Sequence, residues 1–295
     1  MASALDQHLL HHEQHHPGDE LEDHDRGLIF DLATLDRRQM LRLLGFGGVS
    51  AGLFVLAGCA PAGSSASATA GGSSAAATSA ATAATSCAVI PEETAGPFPG
   101  DGSNGPNVLA QSGVVRKDIR SSFGSSTTVA AGVPLTINLT IQDSGAACKP
   151  LAGAAVYLWH CDRDGNYSLY SAAAANENYL RGVQEADANG LVTFQSIFPA
   201  CYAGRWPHIH FEVYPSLAMA TNEANKVATS QIALPNDACD TVYATDGYSQ
   251  SVTNLSQVSL EKDMVFSDGS AQELGTVTGT VAGGLTVALT VPVKG

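Results

Sequence analysis

The chain has 295 residues, with 14 Lys and Arg against 28 Asp and Glu and a formal net charge of −14. So acidic a balance excludes nucleic acid or an anionic lipid surface as the main partner, while 44% hydrophobic residues suffice for a genuine core. The sequence has no glycine triplet, heptad or internal repeat, which excludes collagen and coiled coil, and its apolar content excludes a wholly disordered chain.

Residues 1–35 are polar and acidic and carry His8, His11, His12, His15, His16 and His24. Such a tract reads as a metal-binding segment or as an extended leader, and the segment directly after it favours the leader. Asp36-Arg37-Arg38-Gln39-Met40-Leu41 resembles a twin-arginine export signal. The apolar run from Leu41 to Ala57 contains Arg42 and several glycines, and is too short and too weak for a membrane span. It ends in Leu56-Ala57-Gly58-Cys59, which resembles the lipobox of bacterial lipoproteins, where the cysteine is lipidated after cleavage. Residues 1–58 are therefore expected to be a leader, with a lipid anchor at Cys59 and export to the cell envelope or the extracellular face. Residues 59–86 are almost entirely Ala, Ser, Gly and Thr, which cannot bury a core, and are expected to form a flexible tether. The folded unit is expected in residues 87–295.

Six cysteines suit an oxidising compartment. With Cys59 assigned to the lipid, Cys87, Cys148, Cys161, Cys201 and Cys239 remain, an odd number, so at least one stays out of any bridge within the chain. The expected pairing is Cys201 with Cys239.

Leu135, Ile137, Leu139 and Ile141 alternate with Thr136, Asn138, Thr140 and Gln142, the period of a half-buried strand. Ala154 to His160 reads as a second strand, ended by the turn-forming Asp162-Arg163-Asp164-Gly165-Asn166. Residues 172–179 read as a short helix or a loop. Further strands are expected over Leu191–Ile197, His208–Tyr214 and Ser230–Leu234, and Thr276–Val281 with Leu285–Val293 around Gly283-Gly284 reads as a hairpin. Short strands, Gly, Pro and Asx turns and the lack of a convincing amphipathic helix predict an all-β fold, a β-sandwich.

Chemistry concentrates in two segments. In the strand over 208–214, His208, His210, Glu212 and Tyr214 share one face and Ile209, Phe211 and Val213 the other. Two imidazoles at that spacing can converge on one metal. Tyr202 and Arg205 sit on the Gly-containing approach to that strand, and Tyr167 directly succeeds the Asp-rich turn. Phenolate oxygens favour a trivalent ion and imidazoles suit iron. A bound ferric ion would ionise both phenols far below their usual pKa of about 10.

At these residues the sequence resembles the intradiol ring-cleavage dioxygenases, and most closely their exported, single-domain bacterial branch. The resemblance is carried by Pro91-Glu92-Glu93-Thr94-Ala95-Gly96-Pro97-Phe98, by Cys148-Lys149-Pro150-Leu151 running to Trp159-His160-Cys161, by Gly165-Asn166-Tyr167-Ser168, by Leu180-Arg181-Gly182, and by the run from Phe198 to Phe211. It implies a β-sandwich holding Fe(III) on Tyr167, Tyr202, His208 and His210, with Tyr167 equatorial and Tyr202 axial. It further implies Arg205 beside a bound catechol and Gln231 assisting the reacting ring. The implied reaction opens the ring between its two hydroxylated carbons with O2 to give a cis,cis-muconate, with Tyr202 taking up a substrate proton. Cys201 stands where the family usually has glycine. The insertion that protocatechuate enzymes carry between the axial tyrosine and the arginine is shorter here, and the helical dimerisation segment of catechol dioxygenases has no counterpart, which leaves the oligomeric state open.

Two other readings compete. One is a non-catalytic exported β-sandwich binding aromatics or carbohydrate; the other is a surface protein holding zinc or copper at His208 and His210, which the two tyrosines disfavour. His160 reads as structural, and Asp162 and Asp164 as a tight turn rather than a calcium loop. Gly96-Pro97-Phe98 reads either as lining the substrate mouth or as a turn packing an edge strand.

Overall fold

The computed structural model describes residues 87–295. The leader histidines, the twin-arginine pattern, Cys59 and the tether lie outside the described residues. The strands are β1 (Pro134–Asp143), β2 (Lys149–Pro150), β3 (Ala155–Trp159), β4 (Arg181–Glu185), β5 (Leu191–Ile197), β6 (His208–Tyr214), β7 (Ala228–Ala233), β8 (Thr276–Thr280) and β9 (Gly284–Val293). They form two sheets. One has the order β2-β1-β9-β8 with β5 also paired to β1, and the other has the order β4-β3-β6-β7. The β1–β9 pair is parallel, and the other pairs are antiparallel. This is the expected all-β sandwich.

The alternation seen in the sequence sets which side chains meet between the sheets. Ile137, Leu139 and Ile141 from β1 and Val192 and Phe194 from β5 face Val156 and Leu158 of β3, Ile209, Phe211 and Val213 of β6 and Ile232 of β7, all buried in one cluster. Burying one such side chain is worth roughly 1.5–3 kcal/mol, so this interleaved layer holds the two sheets together. The opposite face of the four-stranded sheet is also covered. There Tyr157 and Trp159 of β3 and Tyr214 of β6 cluster with Tyr167 and Tyr202 from the overlying loops. A sheet with one apolar face and one polar-aromatic face, both closed to water, places β6 where it can present imidazoles in a dry site.

Four elements depart from expectation, one of them the two-residue β2. β4 carries no strand signal, because Arg-Gly-Val-Gln-Glu offers neither an apolar run nor a clean alternation. Two helices, α1 (Asn236–Tyr243) and α2 (Ser249–Leu255), stand where none was expected. They are short, and the buried stripe of α1 (Ala238, Cys239, Val242, Tyr243) is interleaved with Asp240 and Thr241. Tyr243 donates to the Pro199 carbonyl at 3.1 Å and Tyr248 to that of Phe198 at 2.8 Å, which pins the helices beside the loop entering the site. Residues 172–174 form one 3-10 turn.

The expected Cys201–Cys239 bridge is not formed, and the disulfide joins Cys87 to Cys148 instead. Cys201 and Cys239 are buried thiols held in local contacts. Cys201 donates to the Arg205 carbonyl at 3.5 Å and Cys239 to that of Leu234 at 4.0 Å, so neither sulfur needs the other. Cys161 is the third buried thiol. The bridge ties the start of the described chain to the β1–β2 turn.

Candidate metal centre

The site is built on β6 and on two loops above it. In register, His210 lies between Trp159 of β3 and Gln231 of β7. Trp159 stacks on His210 with ring centroids 4.9 Å apart and an interplanar angle of 3°. His208 Nδ1 sits 2.5 Å from the Trp206 carbonyl, which can only accept, so the proton is on Nδ1 and Nε2 carries a bare lone pair. That Nε2 lies 3.1 Å from Nε2 of His210 and 3.2 Å from the Tyr202 hydroxyl. Both imidazoles are held well below their usual pKa, first by burial; the Arg205 guanidinium adds to this for both, and the neighbouring His208 for His210. Neutral imidazole is the ligand form.

Tyr167 reaches the same place from the turn that precedes it. Asp162 organises that turn, its Oδ1 accepting the N–H groups of Asp164 and Asn166 at 2.9 Å each and its Oδ2 the Tyr179 hydroxyl at 3.0 Å. These bonds account for Asp162 as a turn residue. Gly165 takes φ +88°, and a Cβ there would stand 3.3 Å from Cβ of Tyr202, so the position favours glycine for both conformation and space. Ser171 Oγ accepts the Tyr167 N–H at 2.9 Å. The Tyr167 ring then sits edge-on to Tyr202 at 5.9 Å and to His210 at 6.3 Å between centroids. Phe98 packs 5.0 Å from Tyr167 and 5.2 Å from Tyr170, which puts Gly96-Pro97-Phe98 at the site rather than on an edge strand.

Arg205 and Gln231 complete the set. Arg205 Nη2 donates to Gln231 Oε1 at 2.8 Å, and Gln231 Nε2 donates to the Thr94 carbonyl at 2.9 Å. All six side chains singled out in the sequence are thus brought together, and all are buried. His160 stands apart, held by the Cys161 carbonyl at 2.7 Å and Ser196 Oγ at 2.6 Å, in the structural role expected of it.

Around Arg205 stand Asp263 and Glu273, which the sequence did not mark, and Glu93, which it marked only within Pro91–Phe98 and without a role. Asp263 Oδ2 accepts from Arg205 Nε at 3.0 Å, and both side chains are 0% exposed. Burial, with the neighbouring Glu273 second, pushes the Glu93 carboxyl up to about 9, and burial pushes Glu273 to about 8. Asp263 and Glu273 lie far from Arg205 in sequence and carry no motif, so no local signal could have found them.

The donor set fits a hard trivalent ion. Two nitrogens each about 2.1 Å from one ion at a right angle lie about 3.0 Å apart, close to the observed separation of the two Nε2 atoms. Among the described residues no three His, Cys, Asp or Glu side chains gather in metal-binding geometry. The donors here are two imidazoles and two phenols, a set that suits iron and not the usual zinc site.

The family model described as Dioxygenase matches residues 104–259, just over half of the chain. A chlorocatechol 1,2-dioxygenase of Rhodococcus opacus is 29% identical over 91 residues, covering 27% of this chain and 35% of that relative. A catechol 1,2-dioxygenase of Acinetobacter lwoffii is 36% identical over 70 residues, covering 23% of this chain and 22% of that relative. The chain therefore matches about a third or less of the length of these curated relatives. An intradiol ring-cleavage dioxygenase from Tetranychus urticae superposes with a TM-score of 0.56 at 23% identity, over 70% of this chain and 95% of that one, which establishes a shared fold.

Proposed function

The chain belongs to the intradiol ring-cleavage dioxygenase family, and on that premise we propose that it cleaves a catechol between its two hydroxylated carbons with O2, giving a cis,cis-muconate, at a non-haem Fe(III) site. The observation that carries this reading is the convergence of the Tyr202 hydroxyl and the Nε2 atoms of His208 and His210, with His208 Nε2 within 3.2 Å of both others and Tyr167 beside them. Tyr167, Tyr202, His208 and His210 would hold the ion. Ferric iron bound there supplies Lewis acidity, which ionises phenols and catechol hydroxyls and activates the ring towards dioxygen.

The remaining work falls to side chains of this chain. Tyr202, at the start of a turn in which Gly204 takes φ 84°, is the residue placed to take a catechol proton on its phenol oxygen. Tyr167, at 2% exposure, and the two histidines, also at 2%, keep bulk water from the reacting ring. Phe98 offers an aromatic wall for a flat substrate beside Tyr167. Arg205 and Gln231, joined by their hydrogen bond, give a fixed cationic and polar edge towards which negative charge on the ring can develop.

The visible spectrum of the purified, iron-loaded protein tests the reading. The expected result is a tyrosinate-to-ferric charge-transfer band that moves to longer wavelength with anaerobic catechol, succeeded by cis,cis-muconate when O2 is admitted. A colourless protein at full iron occupancy, or a coloured one that binds catechol and never opens the ring, overturns it.

The same reading puts the work outside the cytoplasm, on a lipid anchor at Cys59. The Arg37-Arg38 and Leu56–Cys59 patterns support it, as does the Cys87–Cys148 disulfide. Mass analysis of the mature N-terminus should find a lipid-modified Cys59; an unprocessed Met1 would refute it.

A further inference from the structure

Arg205 is a buried cation with three carboxyl groups to choose from. It takes Asp263: Nε donates to Asp263 Oδ2 at 3.0 Å, and neither side chain is exposed. The reason for that choice lies in the other bonds Asp263 makes. The same Oδ2 accepts the Trp206 N–H at 2.7 Å, and Oδ1 accepts the N–H groups of Val265 at 2.9 Å and Phe266 at 3.3 Å. Three backbone donors hold both oxygens of the Asp263 carboxyl in place, so it offers the guanidinium a rigidly oriented acceptor. Glu93 and Glu273 act electrostatically on the same guanidinium but lack such a cradle; Glu273 takes the Ser230 hydroxyl, at 3.2 Å.

The guanidinium is a rigid plane, so fixing Nε on one side fixes where the two Nη atoms point. With Nε on Asp263, Nη2 falls 2.8 Å from Gln231 Oε1, and Gln231 Nε2 in turn reaches the Thr94 carbonyl at 2.9 Å. A single line of bonds runs from the segment after α2, through Arg205 and β7, to the segment that carries Phe98.

We propose that Asp263 is a positioning residue of this active site: it fixes the plane of the Arg205 guanidinium so that Arg205 and Gln231 present one invariant edge to the bound ring. This rests on the dioxygenase reading above. With Asp263 replaced by Asn, the guanidinium Nε loses its charged acceptor and the plane is no longer set.

The test uses the full chain and the variants Asp263→Asn, Arg205→Gln and their double, loaded with diamagnetic Ga(III) for the first readout, because high-spin Fe(III) broadens nearby proton resonances, and with iron for the second. Its first readout needs no turnover. The Arg205 Nε–H resonance, assigned by its loss in Arg205→Gln, should exchange slowly with solvent in the native protein and about tenfold or more faster in Asp263→Asn. An exchange rate changed by less than about twofold overturns the proposal.

The second readout is kinetic. Asp263→Asn should lower kcat for catechol about tenfold to a hundredfold, as misplacement of a catalytic group does, with iron content and colour unchanged. In the Arg205→Gln background the same substitution should do nothing further to kcat, because the residue it acts through is gone. An equal loss in both backgrounds marks a merely structural residue and overturns the proposal. Should Asp263→Asn alone fail to fold because it strands a buried cation, Arg205→Gln against the double variant still decides, since both lack that cation. A native protein with a slowly exchanging Nε–H and no ring cleavage refutes the dioxygenase reading and leaves the Asp263–Arg205 geometry standing.

Discussion

His210→Ala should purify as a folded protein that retains less than about a tenth of the native iron and shows no tyrosinate colour, since loss of an outer-shell partner alone weakens metal binding about 10- to 100-fold. His210 occupies the middle of β6, with its Nε2 3.1 Å from that of His208 and its ring stacked on Trp159. Removing it leaves Tyr202 and His208, 3.2 Å apart, to satisfy each other by hydrogen bonding, which costs the site both a donor and the geometry that holds the others open. The fold should survive. The core face of β6, made by Ile209, Phe211 and Val213, points the other way and is untouched. A ligand that binds only the native state raises its melting temperature, so iron should stabilise the native protein against heat and leave His210→Ala unmoved. Iron-to-protein ratios and melting curves with and without metal check both halves. A variant that keeps its iron and colour would remove His210 from the ligand set.

That the two histidines share one face was readable from seven consecutive residues; that this face is buried was not. His-Ile-His-Phe-Glu-Val-Tyr alternates without a break, and β6 has the bounds that the alternation implies. The first strand was legible over residues 135–142 for the same reason, one face being apolar and the other Thr, Asn and Gln, and residues 191–197 by their own, less regular alternation. What period could not reveal was the assembly. Tyr167, Tyr202 and β6 come from three segments, and only the resemblance to a known family put them in one place before the structure did. Asp263 reaches Arg205 across 58 residues, and Glu273 reaches Ser230 across 43. No local rule marks such contacts, because a buried polar group is recognised by what surrounds it and not by its neighbours in sequence. The cysteines show the same limit. Cys201 and Cys239 were expected to pair because the bridge would staple the loop that leads to the site, yet each thiol is content with a nearby carbonyl, and the bridge forms at Cys87 and Cys148.

Arg181→Met should cost about 4 kcal/mol of stability, because it leaves several buried acceptors without their charged donor, and should also raise KM for catechol. Arg181 is 1% exposed on β4, the edge strand that carries no apolar pattern. Its guanidinium spends all five N–H groups on oxygen. Nε donates to Ser168 Oγ at 3.0 Å, Nη1 to the Pro99 carbonyl at 2.7 Å and the Tyr157 hydroxyl at 3.1 Å, and Nη2 to the carbonyls of Phe98 and Ser168 at 2.9 Å each. Two of those partners flank the site directly. Ser168 is the residue after Tyr167, and Phe98 is the ring packed 5.0 Å from it. Arg181 therefore clamps both walls of the mouth to the sheet that carries the histidines. Lysine cannot replace it. Three donors on a point charge do not match five acceptors set around a plane, so Arg181→Lys should lose at least about half as much stability as Arg181→Met. Denaturant unfolding of the two variants, with KM measured on the surviving holoenzyme, separates the outcomes. Native-like stability and KM in Arg181→Met would mean that the mouth is held by Phe98 and Tyr170 packing alone, and that the buried cation serves something other than the site.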